Sequence, residues 1–273
     1  MKKKILFMTI LSFFYIIKFS YSYTPSSYEL VRKVFKQFSF KDPLIVEQDV
    51  FKNSGKEEKE SFSSAKTYIK YPSALYVKWK KNKDVKSADM MEYIVNHDRI
   101  AGKIDGDVVT LDRNDFTYSY ELFSYDDINA FLKYLDSIGI DTKKITLGLY
   151  DHKVCYVIGC ENLSKHSNQL WIEKDTLLPK LMVIFYSAEK GDSSFKFEFS
   201  DYSPENKLYF PNKIRYFDDD KVTLELTTTK ITRAVIKKDD VFNVNNLVKS
   251  YTPQKTPKDD LLFKKRQALL VLE

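Results

Sequence analysis

The chain has 273 residues, of which 43% are hydrophobic and 15% aromatic, with only seven glycines and eight prolines. This composition suits a globular fold with a sizeable core and excludes fibrous and low-complexity classes. The formal net charge is +6, but Lys2–Lys4 and Lys18 lie in the N-terminal segment and the remaining lysines alternate with acids. The chain therefore lacks the basic stripe of a nucleic-acid-binding protein, and we expect no nucleic-acid partner.

The first 22 residues have the three parts of a signal peptide. Lysines 2–4 precede the apolar run Ile5–Ile17, and Ser20 and Ser22 supply small residues before the expected cleavage site. The run is shorter than the roughly 20 residues of a membrane-spanning helix. We predict export with cleavage near Ser22, the alternative being a retained N-terminal anchor.

The mature chain is predicted to begin with an amphipathic helix. Ser26 and Glu29 have the spacing of a capping box. The following apolar residues fall on one helical face: Leu30, Val31, Val34, Phe35 and Phe38. A strand is expected within Lys41–Gly55, and then an exposed turn over Lys56–Ser64.

From Ala65 onward most of the chain follows a period of two, which is typical of strands. Turn formers separate the segments, and Asp105–Gly106 favours a tight hairpin. An antiparallel meander of short strands follows from this pattern. The predicted strands are Lys66–Tyr71, Ala74–Lys80, Glu92–Asn96, Arg99–Asp112, Lys144–Tyr150, Lys153–Ile158, Gln169–Lys174, Lys180–Ser187, Ser194–Asp201, Asn212–Phe217 and Lys221–Val235.

One helix interrupts the strands, over Ser124–Ile138. Ser124 is the expected N-cap, and Gly139 is the expected stop. The apolar positions Ile128, Phe131, Leu132 and Leu135 recur at helical spacing. After the last strand, residues 247–273 are predicted to form a linker and a short amphipathic tail.

The two cysteines, Cys155 and Cys160, leave two possibilities open. On one straight strand they would be about 16 Å apart, which is too far for a disulfide. A bond requires the chain to bend at Gly159, and otherwise both are separate buried thiols.

No constellation of residues indicates catalysis. The chain has no phosphate-binding glycine loop, nucleophile elbow or paired metal-ligand histidines. His97, His152 and His166 fall in or beside predicted turns, and Asp218–Asp220 suits a polar hairpin loop. We therefore predict no catalytic residue, no cofactor and no metal site, and a protein that is not an enzyme.

A predicted strand that is apolar on both faces indicates a binding function rather than catalysis. Leu181–Tyr186 is apolar on both faces, whereas a sheet covered on one side only alternates cleanly. Two short helices can cover only part of a sheet of ten or more strands, which leaves either a packed barrel or an apolar cavity. The candidate cavity-lining residues are Leu75, Val77, Trp79, Trp171, Phe185, Phe195, Phe197 and Phe199.

The order of these elements resembles the LolA-like periplasmic lipoprotein-sorting proteins. The similarity covers about Tyr28–Val244, and we expect a domain over residues 23–246. The matching stretches are Tyr68–Pro72, Gln169–Pro179, Phe210–Ile214 and Asp239–Phe242.

The resemblance implies a mainly β (α+β) fold, an incomplete antiparallel β-barrel of about 10–11 strands with helices covering the concave side. It also implies a monomer in the periplasm whose cavity holds the acyl chains of lipoproteins or lipids in transit to the outer membrane. The implied partners are an inner-membrane transporter and an outer-membrane acceptor. Carriers of this family have an arginine before the early-strand proline at a position used in cargo hand-over, where this chain has Tyr71.

A second function fits the same resemblance. In RseB-type envelope-stress regulators, which share this fold, lipid occupancy controls a protein partner. The segment after Val244 and the absence of the arginine favour such a sensor or interaction module.

Overall fold

The computed structural model describes residues 26–38, 42–52, 61–70, 74–81, 91–96, 99–104, 107–109, 115–163, 166–188, 191–202, 209–218, 220–233 and 242–245. The predicted signal peptide, Tyr71 and the predicted tail over 247–273 lie outside these ranges. Within them, no helix has both the length and the apolar character needed to span a bilayer.

The described chain forms one antiparallel sheet of 13 strands, against the 10–11 that were expected. Each predicted strand within the described ranges is present, because period-two alternation is a strong local signal. Within the predicted Arg99–Asp112 segment the structure has two antiparallel strands, in which Ile104 pairs with Asp107. The strands are β1 Leu44–Lys52, β2 Ser61–Lys70, β3 Ala74–Lys81, β4 Met91–Asn96, β5 Arg99–Ile104, β6 Asp107–Val109, β7 Ile145–Tyr150, β8 Lys153–Ile158, β9 Gln169–Glu173, β10 Pro179–Ala188, β11 Gly191–Tyr202, β12 Pro211–Asp218 and β13 Lys221–Arg233.

The strand order is β6-β5-β4-β3-β2-β1-β13-β12-β11-β10-β9-β8-β7. Two meanders, β1–β6 and β7–β13, are joined where the first strand pairs with the last. The sheet edges are therefore β6 and β7, which are neighbours in sequence but not hydrogen-bonded to each other. The connection between these edges carries two of the three helices found in the described residues.

The first helix, α1, spans Ser27–Phe38 and confirms the predicted amphipathic helix. The Ser26 hydroxyl accepts a hydrogen bond from the Glu29 amide at 3.3 Å, as a capping residue does. Leu30, Val31 and Val34 are almost completely buried, so this face of the helix packs on the sheet.

Two helices lie in the connection between β6 and β7. The helix α3, Ile128–Ser137, is the one predicted, but its N-cap is Asp127, which accepts from the Ala130 amide at 2.8 Å. The expected cap, Ser124, instead donates to the Glu121 carbonyl at 2.9 Å. The helix ends before Gly139, which has the positive φ of +74° expected at that position.

The other helix, α2, spans Asp115–Glu121 and was not predicted. Its sequence, with Phe116, Tyr118 and Tyr120 at every second position, has the period of a strand. Its second half lies inside the protein, since Thr117, Ser119 and Tyr120 are fully buried. Tertiary packing has overridden the local pattern.

The sheet has an inner face, which carries the main core beneath the helices, and an outer face. On β10 the inner residues Met182 and Ile184 belong to that core, while Leu181 and Val183 point to the outer face and are also buried. The prediction that this strand is apolar on both faces is thus confirmed for these four positions.

An ion-pair row continues the outer face across β11–β13. Arg215 lies between its two cross-strand neighbours, Glu198 at 3.2 Å and Glu225 at 3.0 Å. The Tyr150 hydroxyl donates to Glu198 at 2.7 Å, so the row also ties the outer face to β7. The outer face is therefore covered by its own long polar side chains, whereas the inner face is covered by helices.

Cys155 and Cys160 are both buried and do not form a disulfide with each other. Of the two open possibilities, the structure has the separate thiols. Burial, and then the nearby Glu173 carboxylate, raise the pKa of Cys155 to about 11. The thiol is therefore protonated at neutral pH and a poor nucleophile.

Candidate functional site

Five of the eight candidate residues lie together in the core on the inner face. Leu75, Val77 and Trp79 occupy alternate positions of β3, and Phe197 and Phe199 occupy alternate positions of β11, all of them completely buried. Phe195, one step further along β11, is partly buried against the same core. These side chains are on the side that the resemblance assigns to an acyl-chain cavity.

Trp171 and Phe185 lie elsewhere. On β9, Leu170 and Ile172 belong to the inner core, so Trp171 between them points to the outer face. Its indole donates to the Gln169 side chain at 2.9 Å, and its ring lies 6.2 Å from that of Tyr150. Phe185 is likewise on the outer face of β10, because its neighbour Ile184 is in the inner core. The structure does not bring these two aromatics together with the other six.

The helices cover the inner face mainly through aromatic contacts. Phe35 of α1 and Phe131 of α3 have ring centroids 5.4 Å apart, and Tyr125 contacts both Phe131 and Tyr134. Phe123, just after α2, packs edge-on against Phe199 at 5.5 Å. Aromatic side chains thus join the helices of the lid to each other and Phe123 to the sheet.

This cover ends before the β7 edge. Leu147 and Leu149 lie on the same face of β7 as Ile145, which packs on the inner core. Leu149 is paired with Val154, and Leu147 with Tyr156. The exposed fractions of Leu147, Leu149 and Val154 are 43%, 67% and 47%. We call these three residues the edge patch, which is an uncovered, apolar extension of the inner face.

Asn168 connects the lid to the sheet. Its side-chain amide donates to the carbonyl of Ile138 at the end of α3, at 2.6 Å, and its side-chain oxygen accepts from the Phe185 amide of β10, at 2.7 Å. Both ends of this bridge are main-chain groups, so it holds α3 at a defined position over β9 and β10.

Replacing Asn168 by alanine is expected to lower the free energy of unfolding by about 1–3 kcal/mol, because two main-chain groups lose their partner. Amide hydrogen exchange within α3 is expected to accelerate more than exchange within β1, which lies far along the sheet. Urea unfolding and exchange measurements check this. Asn162→Ala, at an exposed asparagine of the same connection, is the control and should have little effect. Equal exchange rates in α3 for the two variants would contradict the bridge.

A set of buried polar side chains lies inside the same core. Tyr120 of α2 donates to the Gln48 side-chain oxygen, and the Gln48 amide donates to the Thr228 hydroxyl at 3.1 Å. Ser119 and Tyr216 share a hydrogen bond of 2.7 Å between their hydroxyls. These contacts attach α2 to β1 and β12. Since a buried polar group is costly without a partner, they explain why a polar helix is stable there.

Tyr93 and Glu121 complete this set, which we call the inner polar cluster: Gln48, Tyr93, Ser119, Tyr120, Glu121 and Tyr216. Tyr93 is 0% exposed and Glu121 only 1%. Burial, and then Tyr120, Tyr216 and Glu121, raise the pKa of the Tyr93 hydroxyl well above its ordinary value. This hydroxyl is a neutral donor at physiological pH, and it has no hydrogen-bond partner among the described residues.

Sequence reasoning missed both the edge patch and the inner polar cluster. Leu147 and Leu149 alternate with Gly148 as the residues of a half-buried strand do, and nothing local distinguishes a covered position from an uncovered one. The sequence signal that could have indicated the cluster is the run of polar residues in Thr117–Glu121, which is next to residues predicted to be in the core.

No protein-family model and no curated protein sequence matches this chain. Solved structures do match it. A DUF1329 family protein from Desulfovibrio piger has 16% identity and a TM-score of 0.50, covering 81% of this chain and 97% of its own.

Two further structures are similar over a comparable share of the chain. A domain from Vibrio parahaemolyticus, described as an outer membrane lipoprotein-sorting protein domain, has 11% identity and a TM-score of 0.53, over 81% of this chain and 97% of its own. A LolA superfamily protein from Nitrosomonas europaea has 9% identity and a TM-score of 0.52, over 82% of this chain and 100% of its own. At such identities the likeness concerns the fold. The chain has the LolA-like fold, an open antiparallel sheet with helices over its inner face.

Proposed function

We propose that this protein binds the apolar chains of a lipid or lipoprotein on the inner face of its sheet and carries them through an aqueous compartment. The observation that supports this most is the edge patch. The face that is buried under the helices continues, at β7 and β8, into leucine and valine side chains that are about half exposed or more. A ligand chain can enter along that edge, where the next strand, β6, does not pair.

The energy available is sufficient for retention without charged contacts. Burying one CH₂ group contributes about 0.8 kcal/mol, so a ten-carbon stretch contributes roughly 8 kcal/mol before the cost of ordering. Affinities near micromolar are therefore reachable, since they correspond to about 8 kcal/mol.

The residues that we assign to the ligand are those of the inner face. They are the edge patch together with Leu75, Val77, Trp79, Phe195, Phe197 and Phe199. Trp171 and Phe185 are left out of this assignment because they belong to the outer face, which is covered by its own polar side chains.

We also propose export, cleavage near Ser22 and a working location in the periplasm. Intact mass of the protein recovered from the envelope tests the cleavage site directly. Cross-linking in envelope extracts separates carriage from sensing. Lipoproteins and a membrane transporter are the expected partners of a carrier, and a stoichiometric regulatory protein is the expected partner of a sensor.

The binding experiment uses the purified mature protein, prepared without detergent, and the uncharged fluorescent probe N-phenyl-1-naphthylamine. Leu149→Asp places a charge in the edge patch and is expected to weaken probe binding at least about tenfold, the effect of about 1.4 kcal/mol. The matched control is Leu163→Asp, which changes the same residue type at a site that is 54% exposed and outside the patch.

Two results would contradict the proposed function. One is a protein that yields no lipid on extraction for mass spectrometry and also fails to bind the probe. The other is an equal loss of binding in Leu149→Asp and Leu163→Asp. Thermal unfolding of both variants shows that each is folded, since both positions are exposed.

A further inference from the structure

The strand β7 lies at one edge of the sheet, and its hydrogen bonds to β8 show which of its main-chain groups face that edge. The Gly159 amide donates to the Lys144 carbonyl at 3.0 Å, and the pairing of β7 with β8 continues in the same register. Lys144 is therefore a hydrogen-bonded position of this antiparallel pair, as is every second residue after it. The residues between these positions, Ile145, Leu147 and Leu149, direct their N–H and C=O groups away from β8.

The far side of β8 agrees with this assignment. Val154, the partner of Leu149, accepts a hydrogen bond from the Lys174 amide at 2.9 Å, so its carbonyl faces β9. Leu149 faces the opposite way. Among the described residues no strand pairs with β7 on that side. Three amides and three carbonyls thus lie along an edge that is open in this part of the chain.

The same three residues of β7 also carry apolar side chains on the inner face. Ile145 packs on the core, and Leu147 and Leu149 belong to the edge patch. The outer face of the strand is closed at its middle, because a Cβ added to Gly148 would lie 2.5 Å from Cζ3 of the Trp171 ring. An incoming molecule therefore meets β7 along its edge and on its inner face.

The sequence of β7 does not protect this edge. Natural proteins commonly place lysine, proline or a bulge on an edge strand, because an open row of N–H and C=O groups pairs with other chains. The segment Ile145–Tyr150 contains no charged residue and no proline, and its pairing with β8 has no register shift. The edge is thus suited to an added strand, which main-chain hydrogen bonds hold in place.

We propose that β7 binds the extended polypeptide of a lipoprotein as an added strand, while the acyl chains of that lipoprotein lie on the adjoining inner face. This inference rests on the proposed function, and it assigns the cargo to lipidated polypeptides rather than to free lipids. The main chain of the cargo pairs with the amides and carbonyls of Ile145, Leu147 and Leu149. Main-chain pairing does not depend on side-chain identity, so one edge can bind polypeptides of different sequence.

Competitive displacement of N-phenyl-1-naphthylamine from the purified mature protein tests this pairing. The competitors, used below their micelle concentrations, are a lauroyl group on an uncharged five-residue peptide amide, the same lipopeptide with every peptide nitrogen methylated, and lauramide. The unmethylated lipopeptide is expected to displace the probe at a concentration at least about tenfold lower than the methylated one, because methylation removes the main-chain donors. Equal displacement by the two lipopeptides would overturn the inference and leave the proposed function intact. Failure of the protein to bind the probe at all would overturn both.

Two variants of Leu147 give a second readout. Leu147→Pro removes the leucine side chain and the amide that faces the open edge, and it leaves the hydrogen bonds to β8 in place. Leu147→Ala removes the side chain but retains the amide. We expect Leu147→Pro to bind the unmethylated lipopeptide about fivefold less tightly than Leu147→Ala does, the effect of one hydrogen bond, and the two variants to bind lauramide equally. Equal lipopeptide affinities, or the same difference for lauramide, would overturn the inference.

A second copy of the protein is the competing occupant of this edge, since two β7 strands can pair about a twofold axis. Sedimentation velocity distinguishes the two occupants. We expect the unmodified protein to remain monomeric over a tenfold range of concentration. A dimer that dissociates in Leu147→Pro would show that β7 pairs with its own copy, and it would overturn the assignment of the edge to cargo.

Discussion

Replacing Phe199 by alanine is expected to lower the free energy of unfolding by about 3–5 kcal/mol, the usual range for a large core aromatic. Its ring is completely buried on β11 and packs edge-on against Phe123, which also contacts Phe210 at 5.1 Å. The alanine loses the transfer free energy of the ring and leaves a cavity between the sheet and the lid.

Urea unfolding of the full chain measures this loss. The comparison is Phe185→Ala, the same substitution on the partly exposed outer face of β10, where the ring contacts His166 at 6.1 Å. Its loss should be smaller, about 1–2 kcal/mol, because less apolar area leaves the interior. Losses of equal size in the two variants would show that the inner face is not the main core.

Replacing Gly159 by alanine is expected to destabilise the protein by about 2–4 kcal/mol, from backbone strain and a backbone clash. Gly159 has a φ of +111°, which side-chain-bearing residues rarely adopt. An added Cβ would be 2.1 Å from the carbonyl oxygen of Asn168, so one of the two main-chain segments has to move. That movement also disturbs the Asn168 bridge to α3.

The control for this prediction is Gly139→Ala, at a second glycine with positive φ. There the Cβ would meet the Asn168 side-chain amide at 3.0 Å rather than a backbone atom. Its loss should be about 1 kcal/mol, mainly the strain of the left-handed conformation. Thermal unfolding compares the stabilities of the Gly159→Ala and Gly139→Ala variants. If Gly159→Ala is no less stable than Gly139→Ala, the close approach of the two main-chain segments is not important.

In the part of the chain that the structure describes, the sequence by itself determined the strands and two of the three helices. Alternation in segments such as Lys153–Ile158 is local, and the structure has the strand with the same bounds. The first helix followed from Ser26 and its apolar face, for the same reason. The helix α2 could not be predicted from the sequence, because its aromatic residues recur with the period of a strand. Only its tertiary contacts stabilise it as a helix.

Alternation divides the residues of a strand into two faces, but it does not say which face meets the lid. Phe197 and Trp171 are both large aromatics at central strand positions, yet Phe197 is in the inner core and Trp171 is on the outer face. The edge patch and the unpaired Tyr93 hydroxyl also depend on where distant segments pack. The alternation of apolar and polar residues is a property of neighbours in the sequence. Burial, exposure and polar partners depend on residues far apart in the chain, so only the tertiary structure decided them.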